Sequence, residues 1–139
     1  MADKLKLLVV DDHQIMRLLE KSMLGLDRFE FFEADSGITA LEVLKTTDVD
    51  LILLDNHMPQ MDGICFLETA KTLPKFKAKV IMVTASRSQE TIGAAASLGV
   101  SGYLCKLIDP KALNDMVSEA LGLSPADRPQ TTRKPLPLL

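Results

Sequence analysis

Five short apolar runs, each about the length of a strand and each separated from the next by a helix-period segment, constrain this chain more than any other feature. They cover residues 5–10, 29–32, 51–54, 80–83 and 103–105. Four are nearly continuous in apolar character, as expected of strands covered on both faces; the second is interrupted by Glu30. Between the runs, Ile15, Leu19, Met23 and Leu26 recur at helical spacing, and so do Leu113, Met116, Val117, Ala120 and Leu121. Each set predicts the buried stripe of an amphipathic helix. The segment "ETIGAAASLG" is a weaker helix because of Gly93, offset by its alanines. Asp109-Pro110 predicts an N-cap followed by proline in the first turn. Ser86 with Gln89 predicts a capping box for the helix before it. Gly25, Gly99 and Gly122 stand where helices should stop.

The unit is therefore βα, repeated five times. Right-handed crossovers turn such a repeat into an α/β, doubly wound, five-stranded parallel sheet with helices on both faces. A length of 139 residues predicts one domain with a core that needs no staples. From residue 123 the composition changes. Pro125, Pro129, Pro135 and Pro137 fall in a stretch without apolar period, which predicts a flexible or polyproline-like tail over 123–139.

Several classes are excluded. A net charge of −3 and the lack of a basic patch or helix-turn-helix segment predict no nucleic-acid binding by this chain alone. Cys65 and Cys105 form no short-spaced metal or redox motif and are expected to be reduced core thiols. The start, "MADKLKLLVVDD", is too charged for a signal peptide, and no apolar run is long enough to span a bilayer. The expectation is a soluble, cytosolic protein without membrane contact.

Open parallel sheets bind ligands at the carboxyl ends of their strands. There the sequence places Asp11-Asp12 after the first run, Asp55 after the third, Thr84 after the fourth and Lys106 after the fifth. Three carboxylates at one edge repel one another, and burial adds to that cost, so a cation is needed to hold them together. Few protein oxygens with room for water suit Mg²⁺, which would let a phosphoryl group approach. Lys106 and the Thr84 hydroxyl suit the oxygens of a phosphoryl group in transfer. Asp55 can serve as the nucleophile, since carboxylates form acyl phosphates.

The strings "LLVVDD", "LILLDNHMPQMDG", "VIMVTA" and "GYLCK" resemble the receiver domain of two-component response regulators, over about residues 4–122, in its single-domain, CheY-like form. The resemblance implies a sheet of order 2-1-3-4-5. It implies that Asp55 accepts the phosphoryl group, and that Asp12 binds Mg²⁺ directly and Asp11 through water. His57 would contribute its backbone carbonyl to the metal, Thr84 and Tyr103 would act as the switch pair, and Lys106 would bind the phosphoryl group. Met58-Pro59 and Asp62-Gly63 match the turn into the third helix. The implied partners are a histidine kinase or histidine phosphotransfer protein, and an output protein at the face made by the fourth helix, fifth strand and fifth helix. Such a domain is a switch whose only chemistry is its own phosphorylation and dephosphorylation, not an enzyme on other substrates. The family usually carries Lys-Pro, with a cis bond, where Lys106-Leu107 stands here. The bond is then either trans in a rebuilt loop or cis at a cost of ~3 kcal/mol.

Three other readings remain open on sequence. The chain could be the receiver half of a DNA-binding regulator, or a phosphorylation-independent binding module. It could also be a Mg²⁺ phosphatase with an aspartate nucleophile, although His57 stands where such sites put a second acid. His57 is read as a loop residue offering its carbonyl, with an imidazole able to tune dephosphorylation. His13 is read as the start of the first helix, and Asp12 as a possible cap for it.

Overall fold

The computed structural model describes residues 4–123. Five strands, β1 (Lys6–Val10), β2 (Glu30–Ala34), β3 (Leu51–Leu54), β4 (Lys79–Thr84) and β5 (Gly102–Cys105), form one sheet in the order β2-β1-β3-β4-β5, as expected. Every pairing is parallel. Five helices alternate with them: α1 (Gln14–Leu24), α2 (Gly37–Thr46), α3 (Gly63–Ala70), α4 (Gln89–Ser97) and α5 (Pro110–Ala120). The Pro-rich segment 124–139 lies outside the described residues.

Alternate residues of the central strands build two cores, because successive side chains point to opposite faces. Leu8, Val10, Ile52, Leu54, Val80 and Met82 pack with Ala40, Phe66, Leu67 and Ala95 of α2, α3 and α4. Leu7, Val9, Leu51, Leu53, Ile81 and Val83 pack with Leu24, Leu113 and Val117 of α1 and α5. This double cover explains the unbroken apolar runs at β1, β3 and β4. Strand β2 lies at an edge and extends two residues past the expected run, because Glu33 can stay on its solvent side with Arg17 and Lys21 at 2.9 Å each.

Several cap readings hold. Asp109 caps α5, accepting from the Lys111 N–H, with Pro110 in the first turn. Gly25, Gly99 and Gly122 all have positive φ just past a helix. Asp62 caps α3, and Gly63 follows as the first helical residue.

Four expectations are corrected. Ile15, Leu19 and Leu26 are exposed, and Ile15 reaches 72 %. The inner stripe of α1 instead runs through Met16, Glu20, Met23 and Leu24, with a carboxyl group in its middle. The cap of α4 is Ser88, which accepts from the Thr91 N–H, whereas the Ser86 hydroxyl accepts from Ser88 one step earlier. Asp12 does not cap α1; His13 is the N-cap residue and its side chain makes no capping bond. Cys65 is exposed on α3 and Cys105 is half-buried, so neither is a core thiol. Among the described residues no helix is long and apolar enough to cross a membrane.

Candidate functional site

The sheet ladder itself sets the acidic groups side by side. The Asp11 N–H donates to the Ala34 carbonyl at 3.1 Å, and the Asp55 N–H to the Val10 carbonyl at 3.0 Å. Each aspartate is thus one rung beyond its strand, on a backbone that cannot turn away. Asp11 is 1 % exposed and Asp55 3 %. Asp12 is half-buried, and its Oδ1 is shielded from solvent without a hydrogen-bond donor.

Lys106 reaches in from the end of β5. Its Nζ lies 2.8 Å from Asp11 Oδ2 and 3.4 Å from Asp55 Oδ2. Burial works against its ammonium, but the bond to Asp11 and the charges of Asp55 and Asp11 outweigh it, and the pKa is raised. The lysine is therefore a fixed positive charge between two buried carboxylates. Its backbone N–H donates to the Thr84 carbonyl at 2.9 Å, which ties it to the end of β4. The Lys106–Leu107 peptide is cis, and Leu107 is 98 % exposed.

Thr84 is fully buried, and Tyr103 is half-buried on β5. Both hold the backbone of the same residue, Ser86. The Thr84 hydroxyl accepts from the Ser86 N–H at 3.4 Å, and the Tyr103 hydroxyl donates to the Ser86 carbonyl at 2.8 Å. Burial raises the Tyr103 pKa, so the phenol keeps the proton it donates. The loop between β4 and α4 is gripped from both sides by the expected switch pair.

On the β3–α3 side, the His57 N–H lies 3.4 Å from Asp55 Oδ1, and its side chain is exposed. Asn56 fixes the turn by accepting from Ile64 through its side chain and from Gly63 through its carbonyl, both at 3.0 Å. Gly63 is required there. A Cβ would overlap the Asp55 carbonyl oxygen and come within 2.9 Å of Asn56 Cα.

Three further residues were given no place in the site from sequence. The His13 ring nitrogen Nδ1 stands 3.2 Å from Asp11 Oδ1 and 3.0 Å from Asp12 Oδ1. Its place directly after the paired aspartates was the available signal. Ser86 links Thr84 to Tyr103 through its backbone, which leaves no trace in residue type. Glu20 is 2 % exposed on α1, and its Oε2 has no partner. Burial, then the charge of Asp11, pushes its carboxyl pKa up to about 8 even though Lys106 pulls the other way.

Both the sequence and the fold have close parallels. The response regulator receiver domain family matches residues 7–118. Chemotaxis protein CheY-3 of Vibrio cholerae serotype O1 is 36 % identical over 119 residues, covering 83 % of this chain and 90 % of that protein. Chemotaxis protein CheY of Pseudomonas aeruginosa is 35 % identical over 117 residues, covering 83 % and 94 %. Among solved structures, a CheY-like response regulator receiver domain protein from Methanospirillum hungatei JF-1 superimposes with a TM-score of 0.80 at 28 % identity, covering 86 % of this chain and 95 % of that one. Fold and sequence agree over nearly all the described residues, and the chain belongs to the response regulator receiver domain family of two-component signalling proteins.

Proposed function

We propose that Asp55 takes a phosphoryl group from a phosphohistidine of a kinase or phosphotransfer protein, and that the modified domain changes its grip on an output partner. The observation that carries this reading is the buried Asp55 carboxylate held 3.4 Å from Lys106, beside Asp11 and Asp12. An Asp55 oxygen attacks phosphorus, the nitrogen–phosphorus bond of the donor breaks, and the departing imidazole takes up a proton. Hydrolysis later returns the carboxylate and inorganic phosphate.

The residues present fit a divalent cation. Two carboxylates are almost fully buried with one ammonium between them, and Asp12 Oδ1 is shielded with nothing donating to it. Asp11, Asp12 and Asp55, with the His57 carbonyl, would hold Mg²⁺. When bound, it offsets the charge of the approaching phosphoryl oxygens. Lys106 then moves from its carboxylate partners to a phosphoryl oxygen, and the Thr84 hydroxyl donates to another. The same Thr84 oxygen accepts from the Ser86 N–H, so a movement of the hydroxyl toward the phosphoryl group is felt by Ser86, whose carbonyl Tyr103 holds. The signal thus passes from Asp55 to the β4–α4 loop and to β5, the face expected to meet the output partner.

The donor's contact surface lies beside the pocket. Ile15, Leu18 and Leu19 are exposed on the first turns of α1, directly after His13, and exposed Leu107 follows Lys106. A protein bringing a phosphohistidine onto Asp55 covers these apolar side chains as it does so.

The test is intact mass after incubation with acetyl phosphate, with and without Mg²⁺. The expected result is one added phosphoryl group that needs both Mg²⁺ and Asp55, and that is absent from Asp55→Asn. An unchanged wild-type mass would sink the reading.

A further inference from the structure

We infer that His13 is a ligand of the cation pocket, and that its imidazole tunes the pocket toward first-row transition cations over Mg²⁺. This rests on reading the acidic edge as a divalent-cation site and deepens that reading.

The geometry comes first. His13 Nδ1 and one oxygen each of Asp11 and Asp12 lie within 4.8 Å of one another. Two ligands at right angles on an octahedral cation with bonds of about 2.1 Å stand about 3 Å apart. The gaps from Nδ1 to Asp11 Oδ1 and Asp12 Oδ1 are 3.2 and 3.0 Å. At Asp12 this is proximity without a hydrogen bond, because Oδ1 accepts none. A shielded oxygen without a hydrogen bond is costly by itself, and a cation would satisfy it.

The backbone that carries the ring is also held in place. His13 is the N-cap residue of α1, and its N–H donates to Asp11 Oδ1 at 2.9 Å. Lys106 engages the other oxygen, Asp11 Oδ2, so ring and ammonium do not compete for the same atom. The chain has two histidines, and both stand on loops beside this pocket. Only His13 has a ring nitrogen within reach of the paired aspartates among the described residues.

The chemistry follows from the donor set. Mg²⁺ takes oxygen ligands and retains water, whereas imidazole favours first-row transition metals. Replacing one oxygen position with nitrogen shifts the balance away from Mg²⁺.

The experiment uses Mn²⁺ as the probe on the full chain. Titration followed by electron paramagnetic resonance measures affinity, and pulsed measurements detect nitrogen bound to the metal. Wild type is expected to bind Mn²⁺ at least about tenfold more tightly than Mg²⁺ and to show imidazole nitrogen modulation. His13→Gln, checked as folded by circular dichroism, is expected to lose the modulation and most of the preference. His57→Gln is expected to keep both. Modulation absent from wild type, or retained in His13→Gln, overturns the His13 assignment while leaving the pocket standing. Mn²⁺ binding that is absent, or unaffected by Asp12→Asn, overturns the pocket and His13 together.

Discussion

At position 20 a carboxyl group sits where α1 meets the core, 2 % exposed and with one oxygen unpartnered. Its pKa rises from an ordinary 4.5 to about 8, so the folded protein holds the proton more tightly than the unfolded chain. Below pH 4.5 both states carry it and Glu20 is harmless. As pH climbs toward 8 the unfolded state has already released it, and folding stability falls. The loss is on the order of a few kcal/mol and levels off above that point. Urea unfolding of wild type and Glu20→Gln between pH 5 and 9 should therefore show a decline in wild type that the variant lacks; parallel curves would refute it. The same residue marks a limit of sequence reading. Asp11, Asp12 and Asp55 are legible because a carboxylate ending an apolar run is conspicuous. Glu20 is hidden because a charge on a helix ordinarily faces water, and only packing shows that this one faces inward.

Elements were legible in proportion to how completely they are buried. Strands β1, β3 and β4, covered on both faces, have nearly continuous apolar runs, and their boundaries fall within a residue or so of those expected. Strand β2, with one face near solvent, was cut short. Helix α1 misled for a definite reason: Ile15 and Leu19 form an apolar stripe that faces outward, while the inner stripe contains Glu20. Periodicity reports that a stripe exists, not which surface it meets. The turn into α3 was legible from Asp62-Gly63, and its mechanical role suggests a test. In Gly63→Ala the new methyl group collides with the Asp55 carbonyl and Asn56 backbone. We expect a loss of about 1–3 kcal/mol in stability, together with slower labelling by acetyl phosphate. A variant as stable and as quickly labelled as wild type would contradict that close approach.

For the whole molecule, the parallel sheet collects every strand end on one edge, so the meeting of Lys106 with Asp11 and Asp55 needed only the order of elements to be foreseen. The ring nitrogen of His13 and the double grip on Ser86 needed atomic positions. Under the proposed function, the same edge meets the phosphohistidine donor. Ile15→Ser with Leu18→Ser should leave labelling by acetyl phosphate within about twofold of wild type, since both side chains are exposed and surface changes disturb folding little. Transfer from a phosphohistidine protein should slow by tenfold or more, roughly the loss of one good apolar contact. Equal effects on both donors, read by rapid-quench kinetics, would remove α1 from the donor's path. Finally, Lys106 and Asp11 are joined across 95 positions of chain. During synthesis Asp11, Asp12 and Asp55 all leave the ribosome before their counter-charge exists. Under the proposed function, a nascent or half-folded chain has the three carboxylates but not Lys106, so competence for labelling is expected to arrive only as the last strand docks.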